Sequence, residues 1–355
     1  MTRLSILTAC CLLILATCNT GRNKELPDNK IRQQVDTVGF AQYSWQIDSV
    51  MERLDRKGWK KLSGDPWKLA ICPHDDYTYV GKLYPEVLHN VMADNIFIIG
   101  VAHKAAQLGL EGYLIFDTHN QWYGPYGNVT VSPARNEIFQ ALGEEYAMIS
   151  DTMNIVEHSL ESMIPFMQYF NRNISIIPIL VPAMSPERMN ECGRALAKAI
   201  ETCTDLREWE WGRDFAIVVT TDAVHYGNEE WGGNDYARYG CDDKGNARAR
   251  EHEHEIIDNC LSGEVGPENF RRFSEYTLDS TDYHNYKWTW CGRYCVPVAL
   301  YTAYYLNDSG SLNGELIGYS TSITSDHIPV KDIGMGTTAI ATDCHWVGYA
   351  ALGYR

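Results

Sequence analysis

Positive charge is scarce in this chain, and the scarcity removes one broad class of function. Lys and Arg number 30 against 46 Asp and Glu, a formal net charge of −16. Binding a polyphosphate needs a basic footprint, so no nucleic-acid partner is expected. Paired cysteine motifs are missing as well. Of the 11 cysteines, Cys10 and Cys11 lie in an apolar leader and Cys18 follows it. The others, Cys72, Cys192, Cys203, Cys241, Cys260, Cys291, Cys295 and Cys344, show no spacing typical of a disulfide framework. Cys291 and Cys295 stand four apart, but without a second cysteine pair they do not read as a zinc site. No internal repeat, low-complexity linker or domain boundary interrupts residues 45–355, which read as one domain. What is plentiful is core material. A hydrophobic content of 45% with 12% aromatics excludes a disordered chain.

The first residues suggest an address. Met1-Thr2-Arg3 precedes an apolar run from Leu4 to Ala16, too short for an ordinary membrane-spanning helix. The run ends in Leu15-Ala16-Thr17-Cys18 and the chain then turns polar, which is similar to a bacterial lipoprotein signal. The expectation is a signal peptide over 1–17, lipidation at Cys18 and a flexible tether over 18–44. The protein would then sit in the cell envelope, touching the membrane only through its N-terminal lipid. An ordinary cleaved leader or an uncleaved anchor are the alternatives.

Beyond the tether, helical and strand signals alternate. Apolar, β-branched runs at Leu69-Ala70-Ile71, Ile96-Phe97-Ile98-Ile99, Ile174–Val181 and Phe215–Val219 read as buried strands. Helical spacing marks the second half of 40–61, at Ile47, Val50, Met51 and Leu54. Helices are expected over 83–91, 133–142, 157–170, 186–202, 246–261, 267–276 and 292–305, with closing strands over 314–323 and 337–352. This alternation predicts an α/β fold with a central mixed sheet flanked by helices on both faces.

Four short motifs place chemistry beside these elements. Three follow strands: Pro73-His74-Asp75-Asp76-Tyr77-Thr78-Tyr79, Gly100-Val101-Ala102-His103 and Thr220-Thr221-Asp222-Ala223-Val224-His225-Tyr226-Gly227. The fourth, Cys291-Gly292-Arg293, precedes a helix. Ligands bind α/β sheets at the carboxyl ends of strands, so two His and one Cys can hold a metal ion there, with His225 left as acid or base. Any lone His is more often a hydrogen-bonded structural residue, and a buried structural thiol is the lesser alternative for Cys291. At a helix N-terminus its pKa would be lowered. Asp75 and Asp76 are placed to orient His74. Asp222 either orients His225 or a bound water, or caps a turn. Glu157 and Glu161, in Glu157-His158-Ser159-Leu160-Glu161, share one face of the expected helix and line a pocket or simply solvate it. Glu251-His252-Glu253-His254-Glu255 reads as a solvated helix face, because its two His point to nearly opposite sides.

Taken in order, these motifs resemble the Memo family, including the bacterial proteins called AmmeMemoRadiSam system protein B. The family's Pro-His-Ala-Gly-Tyr-x-Tyr-x-Gly looks like Pro73–Gly81, and its Gly-Pro-x-His looks like Gly100–His103. Its Glu-His-Ser-x-Glu segment is met by Glu157–Glu161, its Ser-Ser-Asp-x-x-His-Tyr by Thr220–Tyr226, and its Cys-Gly by Cys291-Gly292. The resemblance covers roughly residues 68–355. It implies the fold of class III extradiol ring-cleaving dioxygenases, which carry non-haem iron on two His and a carboxylate. His74, His103 and Cys291 would be the metal ligands, with Cys291 in the carboxylate's place. His225 and Asp222 would be catalytic. Asp75, Tyr77, Glu157, His158 and Arg293 would line the pocket. The implied cofactor is a transition metal: iron first, with copper or zinc as alternatives because a thiolate is softer than a carboxylate. The implied activity is that of a metal-dependent oxidoreductase, the alternative being a non-enzymatic protein that binds a small molecule or peptide in the same cleft. This chain departs from the pattern at Asp75-Asp76, where the family has Ala-Gly, at Val101-Ala102, where a Pro-containing turn is usual, and at Tyr294, where His is frequent.

Overall fold

A computed structural model describes residues 30–61 and 64–355. The signal-peptide and Cys18 expectations therefore lie outside the described residues. The strands are β1 (Ile31–Arg32), β2 (Leu69–Cys72), β3 (Asn95–Val101), β4 (Leu114–Phe116), β5 (Gln121–Trp122), β6 (Val129–Val131) and β7 (Ala147–Ile149). They continue with β8 (Ser175–Val181), β9 (Phe215–Thr220), β10 (His225–Gly227), β11 (Gly263–Val265), β12 (Leu312–Thr321) and β13 (His345–Tyr354). They join one mixed sheet in the order β1-β5-β6-β8-β3-β9-β2-β13-β12-β11, with β4, β7 and β10 on side branches. Its centre, β6-β8-β3-β9-β2, is parallel. Antiparallel β13 and β12 extend it beyond β2.

The strand pleat explains the layers. Leu69, Phe97, Ile99, Ile177, Ile179, Ile217 and Val219 face one core; Ala70, Ile96, Ile98, Ile176, Ala216 and Val218 face another. Side chains alternate sides along a strand, so a run apolar at every position must be covered twice. Helices Pro186–Asp205, Asp243–Cys260, Pro267–Thr277 and Cys295–Leu306 cover the first face, through residues such as Leu196, Ile256, Phe270 and Leu300. Ser44–Arg56, Leu83–Leu88 and Ile164–Phe170 cover the second, through Ile47, Leu83 and Phe166. Each such buried side chain contributes roughly 1.5–3 kcal/mol relative to exposure. Pro178 interrupts the β8 run without breaking it. On that flank β8 pairs only at Ser175, Ile176 and Leu180, so the missing N–H falls where no ladder bond is due. The expected α/β architecture is the observed one. Among the described residues no helix is long and apolar enough to cross a membrane.

Three local expectations are corrected. The tether does not extend to residue 44, because β1 pairs with β5 and Arg32, only 2% exposed, forms an ion pair with Glu161. Phe40 and Ala41 are buried in the second core. A polar stretch folds when its charge finds a buried partner, and Glu161 is that partner. The expected 157–170 helix begins only at Ile164, with Pro165 in its first turn, after a single 3-10 turn over Glu161–Met163. The Glu157 carboxylate takes the backbone N–H groups of His158 and Ser159, which competes with helix formation. Glu157 and Glu161 consequently serve different partners instead of sharing a helix face. The last strand starts at His345, leaving residues 337–344 as a loop.

Candidate metal centre

The carboxyl ends of β2, β3 and β9 deliver His74, His103 and Asp222 to one place, and the loop before helix Cys295–Leu306 adds Cys291. Donor atoms of His74, His103 and Cys291 lie within 4.8 Å of one another. The Nε2 of His74 is 3.5 Å from the Cys291 sulfur. Two donors about 2.0 and 2.3 Å from a shared tetrahedral ion would be separated by about that distance.

Each ligand candidate is held from behind. The Nδ1 of His74 meets Thr220 Oγ1 at 2.9 Å, leaving Nε2 toward the sulfur, and its backbone N–H donates to Asp222 Oδ1 at 2.9 Å. His103 pairs its Nδ1 with Glu157 Oε1 at 2.8 Å, while its backbone N–H donates to Glu157 Oε2 at 2.7 Å. A metal-binding His commonly gives its second ring nitrogen to such a partner, which fixes tautomer and orientation. The Cys291 sulfur accepts the Asp222 backbone N–H at 3.1 Å. Gly292 makes this approach possible: a Cβ there would lie 2.3 Å from Thr221, whose Oγ1 instead accepts the Gly292 N–H at 2.9 Å.

Burial sets the charges. It lowers His74 well below the usual imidazole range, with His103 and His158 adding to the effect, so the ring offers a lone pair. Burial alone would raise Glu157, but the charge and hydrogen bond of His103 outweigh it and hold the carboxylate ionised. The expected low pKa of Cys291 is overturned: burial first and Asp222 second push the thiol up, and the helix dipole starts only at Cys295, a turn away. A bound cation would supply the missing positive charge, because a coordinating thiol is deprotonated by its metal. The donor set thus fits a transition metal ion.

Above this floor opens a cleft of about 540 Å³, whose lining includes Asp36, Asp75, His158, His225, Trp231 and His345. The rings of His103 and His158 stack with centroids 5.0 Å apart. His225 projects from the start of β10 against Trp231, ring centroids 5.1 Å apart, and its Nε2 has no hydrogen-bond partner. Burial, then His103 and His345, pull it down to about 3. One donor atom each from Asp222, His225 and Cys291 also fall within 4.8 Å of one another, so His225 borders the same centre.

Five expectations about individual residues are revised. Asp222 makes its side-chain bond to the His74 backbone and does not orient His225. Tyr77 is fully buried and donates to the Ser162 carbonyl, because the short helix Tyr77–Val80 turns its ring inward. Glu157, 2% exposed, lies behind His103 instead of lining the cleft. Arg293 lays its guanidinium over the Tyr286 ring, 3.5 Å from the centroid, and donates to the His284 carbonyl. Asp75 and His158 do line the cleft. Asp75 bonds Tyr349 and the Asp76 backbone, not His74.

Sequence reasoning missed Asp36, Trp231 and His345 in the cleft lining, and one buried support beneath it. Glu253, read as part of a solvated face, is fully buried and accepts N–H bonds from Trp288 (2.5 Å), Trp290 (2.7 Å) and the Val224 backbone (3.0 Å). It thereby braces the residues immediately before Cys291 and His225. The tryptophans at 288 and 290, each needing a buried acceptor, were the available signal.

A family model described as "Memo-like protein" matches residues 42–337. The chain belongs to the Memo-like family. A MEMO1 family protein of Methanothermobacter thermautotrophicus is 29% identical over 165 residues, 46% of this chain and 56% of that protein. One from Pyrococcus furiosus is 25% identical over 294 residues, 81% of this chain and 86% of that protein. One from Methanosarcina mazei is 28% identical over 205 residues. The matched region spans 56% and 62% of the Methanothermobacter and Methanosarcina relatives. The Memo-like match contains every ligand candidate but not the whole cleft. Val35–Val38 and Phe40 before the matched residues, and Thr338, Ala339, His345 and Val347 after them, line it from outside residues 42–337.

Proposed function

We propose that this Memo-like protein is a metal-dependent oxidoreductase, related to the non-haem iron dioxygenases, that binds its ion on His74, His103 and Cys291. The observation that carries this reading is the convergence of the three donors, each with its other contacts already satisfied, on the floor of an open cleft. Iron is the first choice of metal, with copper or zinc as alternatives. Three protein ligands leave positions open, and a redox-active ion there would supply electron transfer and Lewis acidity to a bound substrate. The side chain of His103 remains 29% exposed, so the site is reachable from solvent. His225 lines the cleft and is uncharged at neutral pH, and its imidazole would exchange a proton with a bound substrate. Asp222 holds the His74 backbone in place, which is a positioning role. The leader supports export and lipidation at Cys18, and Cys18→Ser should release the protein from membrane fractions or block its maturation.

Elemental analysis of protein purified without oxygen tests the reading. His74→Ala, His103→Ala and Cys291→Ser should each deplete the metal. His225→Ala should keep most of it while lowering turnover by about 10²–10⁴-fold, the usual contribution of a general acid or base. Metal lost equally from the His225 variant would make that residue a fourth ligand and the site a more closed one. Wild-type protein without metal would favour the alternative, a cleft that binds a small molecule or peptide without chemistry.

A further inference from the structure

Eight cysteines lie among the described residues, and six of them are buried; Cys241 and Cys344 are partly exposed. They are remote in sequence and adjacent in space. Cys241 immediately precedes Asp242, the cap of helix Asp243–Cys260, and Cys344 immediately precedes β13. The Asn246 side-chain amide donates to the carbonyls of both Cys241 (3.4 Å) and Asp343 (3.1 Å), tying the two segments together. Consecutive residues beyond β10 touch both cysteines: the Cys241 thiol donates to Asn228 Oδ1 at 3.4 Å, and the Glu229 N–H donates to the Cys344 carbonyl at 3.2 Å. Gly227 lets that carbonyl in, since a Cβ at its φ of +122° would stand 1.8 Å from the Cys344 oxygen. The neighbouring Cys241 thiol, first, and burial, second, push the Cys344 thiol up to about 11.

We propose that Cys241 and Cys344 form a reversible disulfide by exchange with an external disulfide donor. The Cys241 thiolate attacks one donor sulfur and expels the other as a thiolate. Cys344, deprotonated, then attacks the Cys241 sulfur of the mixed disulfide and expels the second donor thiolate. Two electrons pass to the donor, which leaves as two thiols carrying the two cysteine protons. The bond fastens the start of β13 to the helix Asp243–Cys260. His345 follows Cys344 directly, lines the cleft and packs against Trp231 with ring centroids 4.1 Å apart. Oxidation therefore fixes the stretch of cleft wall beside His225, on the strand paired with β10, and export to an oxidising compartment would favour it. The proposal is independent of the metal reading.

The test uses the full chain, reduced, freed of reductant and incubated with oxidised glutathione, followed by peptide mapping by mass spectrometry. The expected product is one cross-linked peptide pair joining Cys241 to Cys344, lighter by two hydrogens and restored by reductant. Cys241→Ser and Cys344→Ser should each abolish the pair, and the remaining cysteine should carry one glutathione. The oxidised wild type should melt at a higher temperature than the reduced form, and neither variant should show that difference. Glutathione on both cysteines of the wild type without a cross-link would overturn the proposal. So would a cross-link that pairs either cysteine with a different partner.

Discussion

On the floor of the cleft, each metal-facing side chain is fixed by a short bond to a buried neighbour: Thr220 for His74, Glu157 for His103, and the Asp222 backbone for Cys291. On the rim, Val35–Val38, which leads to buried Phe40, and the loop Thr338–Cys344, which leads into strand β13, are held to the body through a few long-range contacts. Arg32 with Glu161 anchors the first, and Asp76 with the Thr338 backbone N–H, at 2.6 Å, anchors the second. The floor lies wholly within the Memo-like match and most of the rim lies outside it. The contrast separates two tasks. Ligand geometry tolerates little displacement and needs rigid backing. A wall that selects what enters can vary while the fold and the ion stay put.

The largest effect should come from breaking the rim's anchor. Arg32→Met leaves Glu161 buried without its cation, which costs about 3–5 kcal/mol where such a pair is broken. Urea unfolding should register that loss, and proteolysis should begin near residues 30–40, while metal content stays at the wild-type level. Metal loss in this variant would show that floor and rim are not separable.

The next effect lies beneath the floor, at Glu253. Burial pushes Glu253 from an ordinary 4.5 up to about 7, against the opposing hydrogen bonds from Trp288, the Val224 backbone and Trp290. The folded chain then keeps a proton that the unfolded chain releases above about pH 4.5. Stability from this group is present at low pH and is lost as pH rises through about 7, up to about 3 kcal/mol for a shift of this size. Glu253→Gln should flatten the decline in unfolding free energy between pH 5 and pH 8. Parallel wild-type and variant curves would contradict this.

The smallest effect is confined to the floor. Glu157→Gln removes the charged partner of His103 and should weaken metal affinity about 10–100-fold, as measured by competition with a chelator. The rim should not notice: proteolysis and unfolding at neutral pH should change far less than in Arg32→Met.

The same division explains what could be read from the chain. His74, His103 and Asp222 were legible because each follows an apolar strand run, and a parallel sheet delivers its strand ends to one edge. Cys291 was legible as a ligand candidate but not in its charge state, since the distance to the next helix and the degree of burial are tertiary facts. Tyr77 misled because its place in the motif says nothing about the turn that rotates it inward. The rim was invisible: Arg32 and Glu161 are 129 residues apart and look like ordinary surface charges. Glu253 was hidden among Glu251, His252, His254 and Glu255, where helical periodicity cannot single out one buried carboxylate. Pairwise burial of charge carries no local signal, whereas a strand followed by His does.

The floor is proposed to bind a transition metal through two imidazoles and one thiolate. X-ray absorption spectroscopy of metal-loaded protein addresses it directly. A sulfur scatterer at about 2.3 Å with imidazole nitrogens at about 2.0–2.1 Å is predicted, and Cys291→Ser should remove the sulfur shell alone. A shell of nitrogen and oxygen only, unchanged by Cys291→Ser, would contradict the account.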